Sequence, residues 1–208
     1  MPARVRNPEE TRDRLIQAAV KLILRQGFPA TTVDEICAEA KLTKGSFFHH
    51  FPSKDALGMA VVTWWSDMGN ALYAPAWDDT ESDPLDALHR FLEIMNGFTE
   101  GEDPCTCVLG MISQEMALSH PGFRERCEES LSFWTDSSAR LIAAAKAKHA
   151  PESDIDPHQV AWFLNSLWQG SMLVAKTRNE PEMIRNNLRQ ARVWLDSLFL
   201  KTPTSKKP

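Results

Sequence analysis

Residues 32–55 carry the sequence TVDEICAEAKLTKGSFFHHFPSKD, whose pattern predicts two short helices, a tight turn and the start of a third helix. Thr32 and Glu35 have the spacing of a capping box, in which each side chain accepts a hydrogen bond from the other residue's backbone N–H. Thr43 is placed to cap the second helix, which Pro52 would stop because the residue before a proline avoids helical angles. Two short helices joined by a three- or four-residue turn form a helix-turn-helix, whose second helix fits the major groove of DNA.

The second helix of this stretch is expected to have a buried and an outward side. Phe47 and Phe51 lie one turn apart and would be buried, which leaves polar side chains outside. Lysine, serine and histidine are suited to phosphates and base edges. The alternative is that the two helices are ordinary core helices of an all-α protein and that their polar side is simply solvated. The candidate DNA contacts, with the first and last expected on phosphates, are Thr32, Thr43, Lys44, Gly45, Ser46, Phe48, His49, His50 and Lys54.

The segments Gly27-Phe28, Thr31 to Ile36 and Lys44 to Leu57 resemble the DNA-binding domain of the TetR family of transcriptional regulators. The resemblance extends over about residues 8 to 57 without a gap. It implies a regulator that binds DNA as a dimer. One position departs from the family, which often has tyrosine where this chain has Phe48. A phenylalanine cannot donate a hydrogen bond to phosphate, so any contact there would be apolar.

Charge is distributed unevenly along the 208 residues. The net charge of −5 argues against a protein that coats nucleic acid, but residues 1–55 carry nine Lys or Arg against seven Asp or Glu. Residues 56–208 carry 14 against 21. The basic excess therefore coincides with the helix-turn-helix, as the electrostatic footprint of a DNA-binding protein should. Because the excess is small, tight operator binding is expected to need two copies of the chain.

The whole chain is predicted to be all-α, with about nine helices. We expect a three-helix DNA-binding domain over residues 1–55, a ligand-binding and dimerisation domain over residues 56–200 and a flexible tail over residues 201–208. Arg4 and Arg6 would lie on a basic N-terminal arm. A helix from Ser53 would join the DNA surface to an aromatic-rich region, and Pro75 and the acidic residues after it predict a loop from Ala74 to Asp83.

A thiol sensor is one hypothesis for the effector site. The run Cys107-Val108-Leu109-Gly110 followed by Ser113-Gln114-Glu115 resembles TetR-type regulators that respond to N-ethylmaleimide or acrylate. This resemblance implies that Cys107 starts a helix facing the ligand cavity, where the helix dipole would favour the reactive thiolate. The chain differs in having Thr106 where glycine is common, and in adding Cys105. The alternative is that Cys107 is a small buried hydrophobe.

Other chemistry at these cysteines is not favoured. Cys105 and Cys107 are separated by one residue, which is a poor match to the spacing of two to four in zinc fingers. Cys107 and His120 would be a nucleophile and a base, but nothing orients the histidine and no oxyanion loop is visible. We therefore expect no metal, no cofactor and no enzymatic activity.

Aromatic and sulfur-containing residues at helical spacing are either plain core or the lining of an effector pocket, because small-molecule sites are mostly apolar with few polar anchors. The candidate ligand or sensor residues are Trp64, Trp65, Phe91, Met95, Cys107, Met111, Gln114, Trp134 and Trp168.

The last two predicted helices have apolar faces wider than one core requires. Paired with their copies in a second chain they would form a four-helix bundle, and the TetR resemblance implies the same dimer interface. The candidate interface residues are Phe163, Leu167, Met172, Met183, Leu188 and Trp194.

The sequence as a whole predicts a homodimeric one-component transcription factor, most simply a repressor, released from a palindromic operator by a small molecule. That molecule would be a thiol-reactive or small unsaturated compound sensed at Cys107 or, alternatively, a non-covalent apolar or aromatic ligand. A helical dimeric binding module without DNA activity is the rival class. The polar N-terminus and the lack of an 18-residue apolar run predict a cytoplasmic protein with no membrane partner.

Overall fold

The computed structural model describes residues 8–80, 82–100 and 105–199. Within these ranges the chain forms nine α-helices and no β-strand, which confirms the predicted all-α class. The predicted N-terminal arm and the tail over residues 201–208 lie outside the described residues. The helices are α1 (Pro8–Gln26), α2 (Val33–Glu39), α3 (Lys44–His50), α4 (Lys54–Trp77), α5 (Pro84–Gly97), α6 (Val108–Met116), α7 (Pro121–His149), α8 (Pro157–Arg178) and α9 (Glu182–Phe199).

The described residues divide into two compact units. Unit 1 comprises the described part of Met1–Met68 together with Cys107–Ser130, and unit 2 comprises the described parts of Gly69–Thr106 and Leu131–Pro208. Unit 1 thus combines the helix-turn-helix with α6 and the first part of α7, which are distant from it in sequence. The functional boundary expected after residue 55 is not tested by this division and stays a prediction.

Unit 1 has its core beneath the helix-turn-helix. The apolar stripe of α1 is buried, with Leu15, Leu22 and Ile23 at most 3% exposed. Ile36 of α2 and Phe47 of α3 are buried as well, at 1% and 0% exposure. Buried apolar faces of this size hold short helices that would not be stable alone.

Unit 2 contains α5, α8 and α9, together with the last part of α4 and the remainder of α7. Aspartates cap two of these helices: Asp83 accepts the Leu85 N–H at 2.9 Å, and Asp156 accepts the His158 N–H at 2.9 Å. The amide of Asn187 on α9 donates to the Ser171 hydroxyl on α8 at 2.9 Å, which fixes the register of these two helices.

The helix α4 continues through Pro75 to Trp77, so the prediction of a break beginning at Ala74 was wrong. A proline inside a helix removes one N–H and crowds the preceding turn. Pro75 lies in the last turn of α4, where only two more helical residues follow, and the Asp78 N–H still donates to the Ala74 carbonyl at 2.9 Å.

Candidate nucleic-acid interface and effector region

The two helices of the helix-turn-helix are capped as the sequence predicts. The Thr32 hydroxyl accepts the Glu35 N–H at 3.2 Å, and the Glu35 carboxylate accepts the Thr32 N–H at 2.8 Å. The Thr32 N–H, followed by the Thr32 hydroxyl, which donates to the same Glu35 oxygen at 2.8 Å, lowers the pKa of the Glu35 carboxyl. On the second helix, the Thr43 hydroxyl accepts the Ser46 N–H at 3.2 Å. Both threonines therefore stabilise the N-terminus of a helix, and both are exposed to solvent.

The helix α3 has the predicted inner and outer sides. Phe47 is fully buried and Phe51 is 4% exposed, whereas Phe48 is 54% exposed. Lys44 and His49 are also exposed, and Ser46 and His50 are half-buried. An exposed phenylalanine on this helix offers an apolar surface of the kind that contacts thymine methyl groups.

Gly45 lies on the exposed side of α3, in its first turn. A Cβ built there would meet only the Thr43 hydroxyl, at an ordinary 3.7 Å, so the chain's own packing does not require glycine. A glycine that packing does not require is suited to close approach of the backbone to a partner.

Lys44 forms a solvent-exposed ion pair with Asp34 of α2. Its Nζ lies 2.8 Å from the Asp34 carboxylate, and the two side chains are 60% and 69% exposed. This hydrogen bond and the aspartate charge raise the pKa of the Lys44 amine, so it stays protonated at neutral pH. Because exposed pairs contribute little stability, the ammonium can exchange its carboxylate partner for a phosphate at small cost.

The two histidines of α3 lie side by side, with ring centroids 5.1 Å apart. Burial, followed by the charges of His49 and Arg12, lowers the pKa of His50. His50 is therefore neutral at pH 7 and offers one ring donor and one ring acceptor, which is a hydrogen-bonding pattern suited to base edges rather than to phosphates.

Lys54 at the start of α4 has partners within the chain that the sequence did not reveal. Its ammonium donates to the carbonyls of Phe28, Pro29 and Thr31 at 3.0–3.2 Å, and it lies 4.6 Å from the centroid of the Phe28 ring. An ammonium has three donors, and all three have acceptors here. The predicted phosphate contact of Lys54 stays a prediction, and it would require one of these bonds to be given up.

The candidate effector residues fall into both units. In unit 1, Trp64 and Trp65 of α4 are half-buried, as are Met111 of α6 and Cys107, while Gln114 is exposed. Cys107 is the N-cap of α6 with extended backbone angles, and its side chain makes no capping hydrogen bond. This placement agrees with the predicted position of Cys107 at a helix start.

Cysteines other than Cys107 in unit 1 are less suited to reaction. Burial raises the pKa of the Cys127 thiol. Burial also raises the pKa of Cys37. All four cysteines of the chain are described, and none is in a disulfide.

In unit 2 the candidate residues join an aromatic cluster. Phe91 and Met95 of α5 are fully buried, and the Phe91 ring lies 5.2 Å from that of Trp134, which is half-buried. Trp168 of α8 is 7% exposed and packs against Phe98, with centroids 6.4 Å apart.

The sequence missed Tyr73 and Trp77, which complete this aromatic cluster. The Tyr73 ring lies 5.0 Å from Trp77, 5.3 Å from Phe91 and 6.0 Å from Trp134. Their spacing of four residues is typical of one helix face, but Trp77 falls within the loop predicted from Ala74 to Asp83. Among the buried side-chain polar atoms of the described residues, Trp77 Nε1 and Ser113 Oγ are those without a hydrogen-bond partner.

The candidate dimer residues differ in their availability to a second chain. Phe163 is 49% exposed and its ring lies 4.7 Å from that of Trp194, while Met172 and Leu188 are each 4% exposed. The last two belong to the chain's own core in this structure. Leu167, Met183 and Trp194 are half-buried. Exposed apolar side chains that the sequence did not single out are Trp162, Leu173 and Val174 on α8 and Val193 on α9.

No group of three or more His, Cys, Asp or Glu side chains in residues 8–80, 82–100 and 105–199 has the arrangement to hold a metal ion. In those same ranges, none of the helices combines the length and the apolar character needed to cross a membrane.

Comparison with known proteins agrees with this architecture. Residues 15–61 match the family described as bacterial regulatory proteins, tetR family, and residues 84–191 match the tetracyclin repressor-like C-terminal domain. The transcriptional regulator AcuR of Cereibacter sphaeroides is 29% identical over 178 residues, which cover 83% of this chain and 79% of that protein. The transcriptional repressor NemR of Escherichia coli K12 is 24% identical, over 86% and 90% of the two chains.

Solved structures share the fold. The crystal structure of a regulatory protein TetR from Rhodobacter sphaeroides superposes with a TM-score of 0.80 at 27% identity, over 88% of this chain and 97% of that one. Reduced NemR of E. coli has a TM-score of 0.76 over 88% and 95% of the two chains, and its 23% identity supports the fold alone. With both halves of the described architecture matched, the chain belongs to the TetR family of bacterial transcriptional regulators.

Proposed function

We propose that this regulator represses transcription as a homodimer on a palindromic operator and is released by a small molecule. The observation that carries the proposal is the outer side of α3. It is held in place by its Thr43 cap and by buried Phe47, and it presents Lys44 and Phe48 to solvent. A lysine, an exposed aromatic ring and a neutral histidine together offer phosphate and base contacts from one helix face.

Two copies of α3 are needed for tight and specific binding. Phosphate contacts supply most of the affinity, and the basic excess of residues 1–55 is only two charges. A two-fold dimer places its recognition helices on half-sites about 34 Å apart or at a multiple of that distance. The exposed apolar side chains on α8 and α9 support such a dimer, because they need a covering surface.

The test is binding to DNA from upstream of the chain's own gene, measured by fluorescence anisotropy at several salt concentrations. We expect a sequence-specific complex with two chains per duplex. Lys44→Ala should weaken it and flatten the logarithmic salt dependence by about one unit if Lys44 contacts phosphate. Lys21→Ala, at an exposed lysine of α1 paired with Glu39, is the matched control and should change neither. A complex no stronger than that with competitor DNA would contradict the proposal.

For the effector, the first candidate is a thiol-reactive or small unsaturated compound that adds to Cys107. Support comes from the position of this thiol as the partly exposed N-cap residue of α6, where an electrophile can reach it. N-ethylmaleimide should release the operator complex of the wild-type protein, and Cys107→Ser should bind DNA normally and resist release. Cys105→Ser is the control and should remain sensitive. Continued release of the Cys107→Ser complex would exclude this candidate.

The second candidate is a non-covalent aromatic ligand in unit 2, and Trp77 is the observation that favours it. Its buried Nε1–H has no acceptor among its aromatic neighbours, and an unpaired buried donor is costly. A neutral planar ligand with one hydrogen-bond acceptor would satisfy it. Acetophenone should then bind more tightly than isopropylbenzene, which has a similar shape and no acceptor. Trp77→Phe should abolish that difference, and equal wild-type affinities would exclude the candidate.

A further inference from the structure

The link between α1 and α2, residues 27–31, forms a short corner that sets where the helix-turn-helix begins. Gly27 leaves α1 with a φ of +87°, a left-handed conformation that glycine adopts without strain. The Thr31 hydroxyl, buried within the corner, donates to the Gly27 carbonyl at 2.7 Å. Thr32, the N-cap of α2, follows directly, so the direction of α2 depends on this corner.

A carboxylate from α6 reaches into the corner. Glu115, in the last turn of α6 and 87 residues away in sequence, accepts the Phe28 N–H at 2.9 Å through its Oε2. The absence of a side chain at Gly27 makes room for this contact, because a Cβ there would lie 2.2 Å from Glu115 Oε1. The glycine therefore serves two purposes: it turns the chain and it admits the carboxylate.

Charged side chains bind the backbone of the corner, an anion at its N–H and a cation at its carbonyls. Glu115 accepts from the corner's N–H, while the Lys54 ammonium of α4 donates to three of its carbonyls. The Phe28 ring packs edge-on against Phe123 of α7, with centroids 4.9 Å apart. Hydrogen bonds to charged groups are about twice as strong as neutral ones. The corner is thus held by α4, α6 and α7 within unit 1, and Glu115 is the contribution of α6.

We infer that Glu115 is a positioning residue for DNA binding: by fixing the Phe28 amide it holds the corner, and through it α2 and α3, in the arrangement that meets the operator. The inference rests on the proposed function as an operator-binding repressor. The same inference gives α6 a role in unit 1, because a movement of this helix away from the corner would break the hydrogen bond between Glu115 and the Phe28 amide. Cys107 is the N-cap residue at the opposite end of the same helix.

Three substitutions at position 115 distinguish the effect of the side chain's length from the effect of its charge. Glu115→Ala removes the acceptor, Glu115→Asp keeps the charge on a side chain one methylene shorter, and Glu115→Gln keeps a carbonyl oxygen at the original length without the charge. Glu125→Ala, at an exposed glutamate of α7 within unit 1, is the matched control. Two quantities are measured for each full-length variant: hydrogen exchange of the Phe28 amide by NMR, and affinity for the upstream duplex by fluorescence anisotropy.

We expect the Phe28 amide to exchange about tenfold faster in the alanine and aspartate variants, and the duplex to bind about three- to tenfold more weakly, in keeping with the loss of one hydrogen bond. The glutamine variant should stay within about threefold of wild type in both measurements, because its neutral oxygen accepts the same bond at about half the strength. The Glu125→Ala variant should match wild type.

Two results would overturn the inference. One is a Phe28 amide that exchanges at the wild-type rate in the aspartate variant. The other is wild-type DNA affinity in that variant despite faster exchange. Tighter binding by both the alanine and glutamine variants would show that Glu115 acts only by repelling phosphates, which also contradicts it. Failure of the proposed function is distinguishable, because then the wild-type protein itself shows no specific binding.

Discussion

At the scale of single residues, Phe28 shows how closely the parts of unit 1 approach one another. Its ring lies between the Lys54 ammonium and the Phe123 ring, and it is 3% exposed. Gly58 of α4 completes this contact. A Cβ at Gly58 would lie 2.6 Å from a carbon of the Phe28 ring and 2.7 Å from one of the Phe123 ring. Glycine in a helix interior is tolerated here because no larger residue fits.

Gly58→Ala is therefore expected to destabilise unit 1, although alanine is the better helix former. Replacing glycine by alanine inside a helix gains about 1 kcal/mol of helix propensity. Displacing two buried rings costs about 1–3 kcal/mol, and this cost is greatest where the rings cannot move aside. Both rings are buried, so we expect a net loss of stability in urea unfolding and weaker operator binding. Gly69→Ala in the same helix is the control, because a Cβ there meets nothing within 4 Å. It should stabilise the chain slightly, and an equal gain for both variants would contradict the prediction.

Residue roles in the candidate site were predictable where both partners are close in sequence. The caps of Thr32 and Thr43 act on amides three residues away, so the local pattern revealed them. Lys54 instead donates to carbonyls 23 to 26 residues earlier, and Glu115 accepts from an amide 87 residues earlier. No local pattern encodes such partners, because they depend on how helices pack.

At the scale of helices, Asp83 joins the start of α5 to the end of α7. Its carboxylate caps α5 through the Leu85 N–H and lies 2.8 Å from Lys148 Nζ and 2.6 Å from His149 Nε2. The Lys148 ammonium, followed by the Leu85 N–H and His149, holds the pKa of the Asp83 carboxyl far below its usual range. The ionised form is thus favoured in the folded protein.

The pH dependence of stability follows from the sign of this shift. A carboxyl whose pKa is lower in the folded state stabilises it above the unfolded value of about 3.9, and this contribution is lost as the pH falls below that value. Asp83→Asn should therefore reduce the melting temperature at pH 7 and flatten its decline between about pH 4 and pH 2. Asp86→Asn, at an exposed position of the same helix turn, is the control for thermal melts across that range. Parallel curves for wild type and Asp83→Asn would show that the contacts of Asp83 contribute nothing.

Helices were easier to predict than the units they form. Caps and apolar spacing predict the positions of α2 and α3 closely, whereas a proline near its end gives the last turn of α4 the pattern of a loop. The membership of α6 in unit 1 was not predictable, because its buried residues Val108 and Ile112 have the same spacing whichever helices they pack against. Aromatic residues on α4, α5 and α7 were likewise recognisable as apolar, without a signal for which of them form one cluster.

At the scale of the whole molecule, the apolar stripe on α8 is the feature that a single chain leaves unsatisfied. Trp162 and Phe163 are 44% and 49% exposed, and Leu173 and Val174 are 50% and 44% exposed, further along the same helix. Gly170 lies between these pairs, one turn before the second. Exposed apolar side chains grouped along one helix favour burial against a partner surface, and a two-fold dimer would bring two such stripes together.

A glutamate at Gly170 should separate the dimer without disturbing the single chain. A Cβ at this position meets nothing within 4 Å, so the fold has room for the side chain. In a dimer the same carboxylate would be buried without a partner, at a cost of several kcal/mol. We expect Gly170→Glu to sediment as a monomer with unchanged helical circular dichroism, and to lose operator affinity because one basic surface replaces two. Gly170→Ala, which adds no charge, should remain dimeric. A Gly170→Glu protein that still sediments as a dimer would place the interface on another surface of the chain.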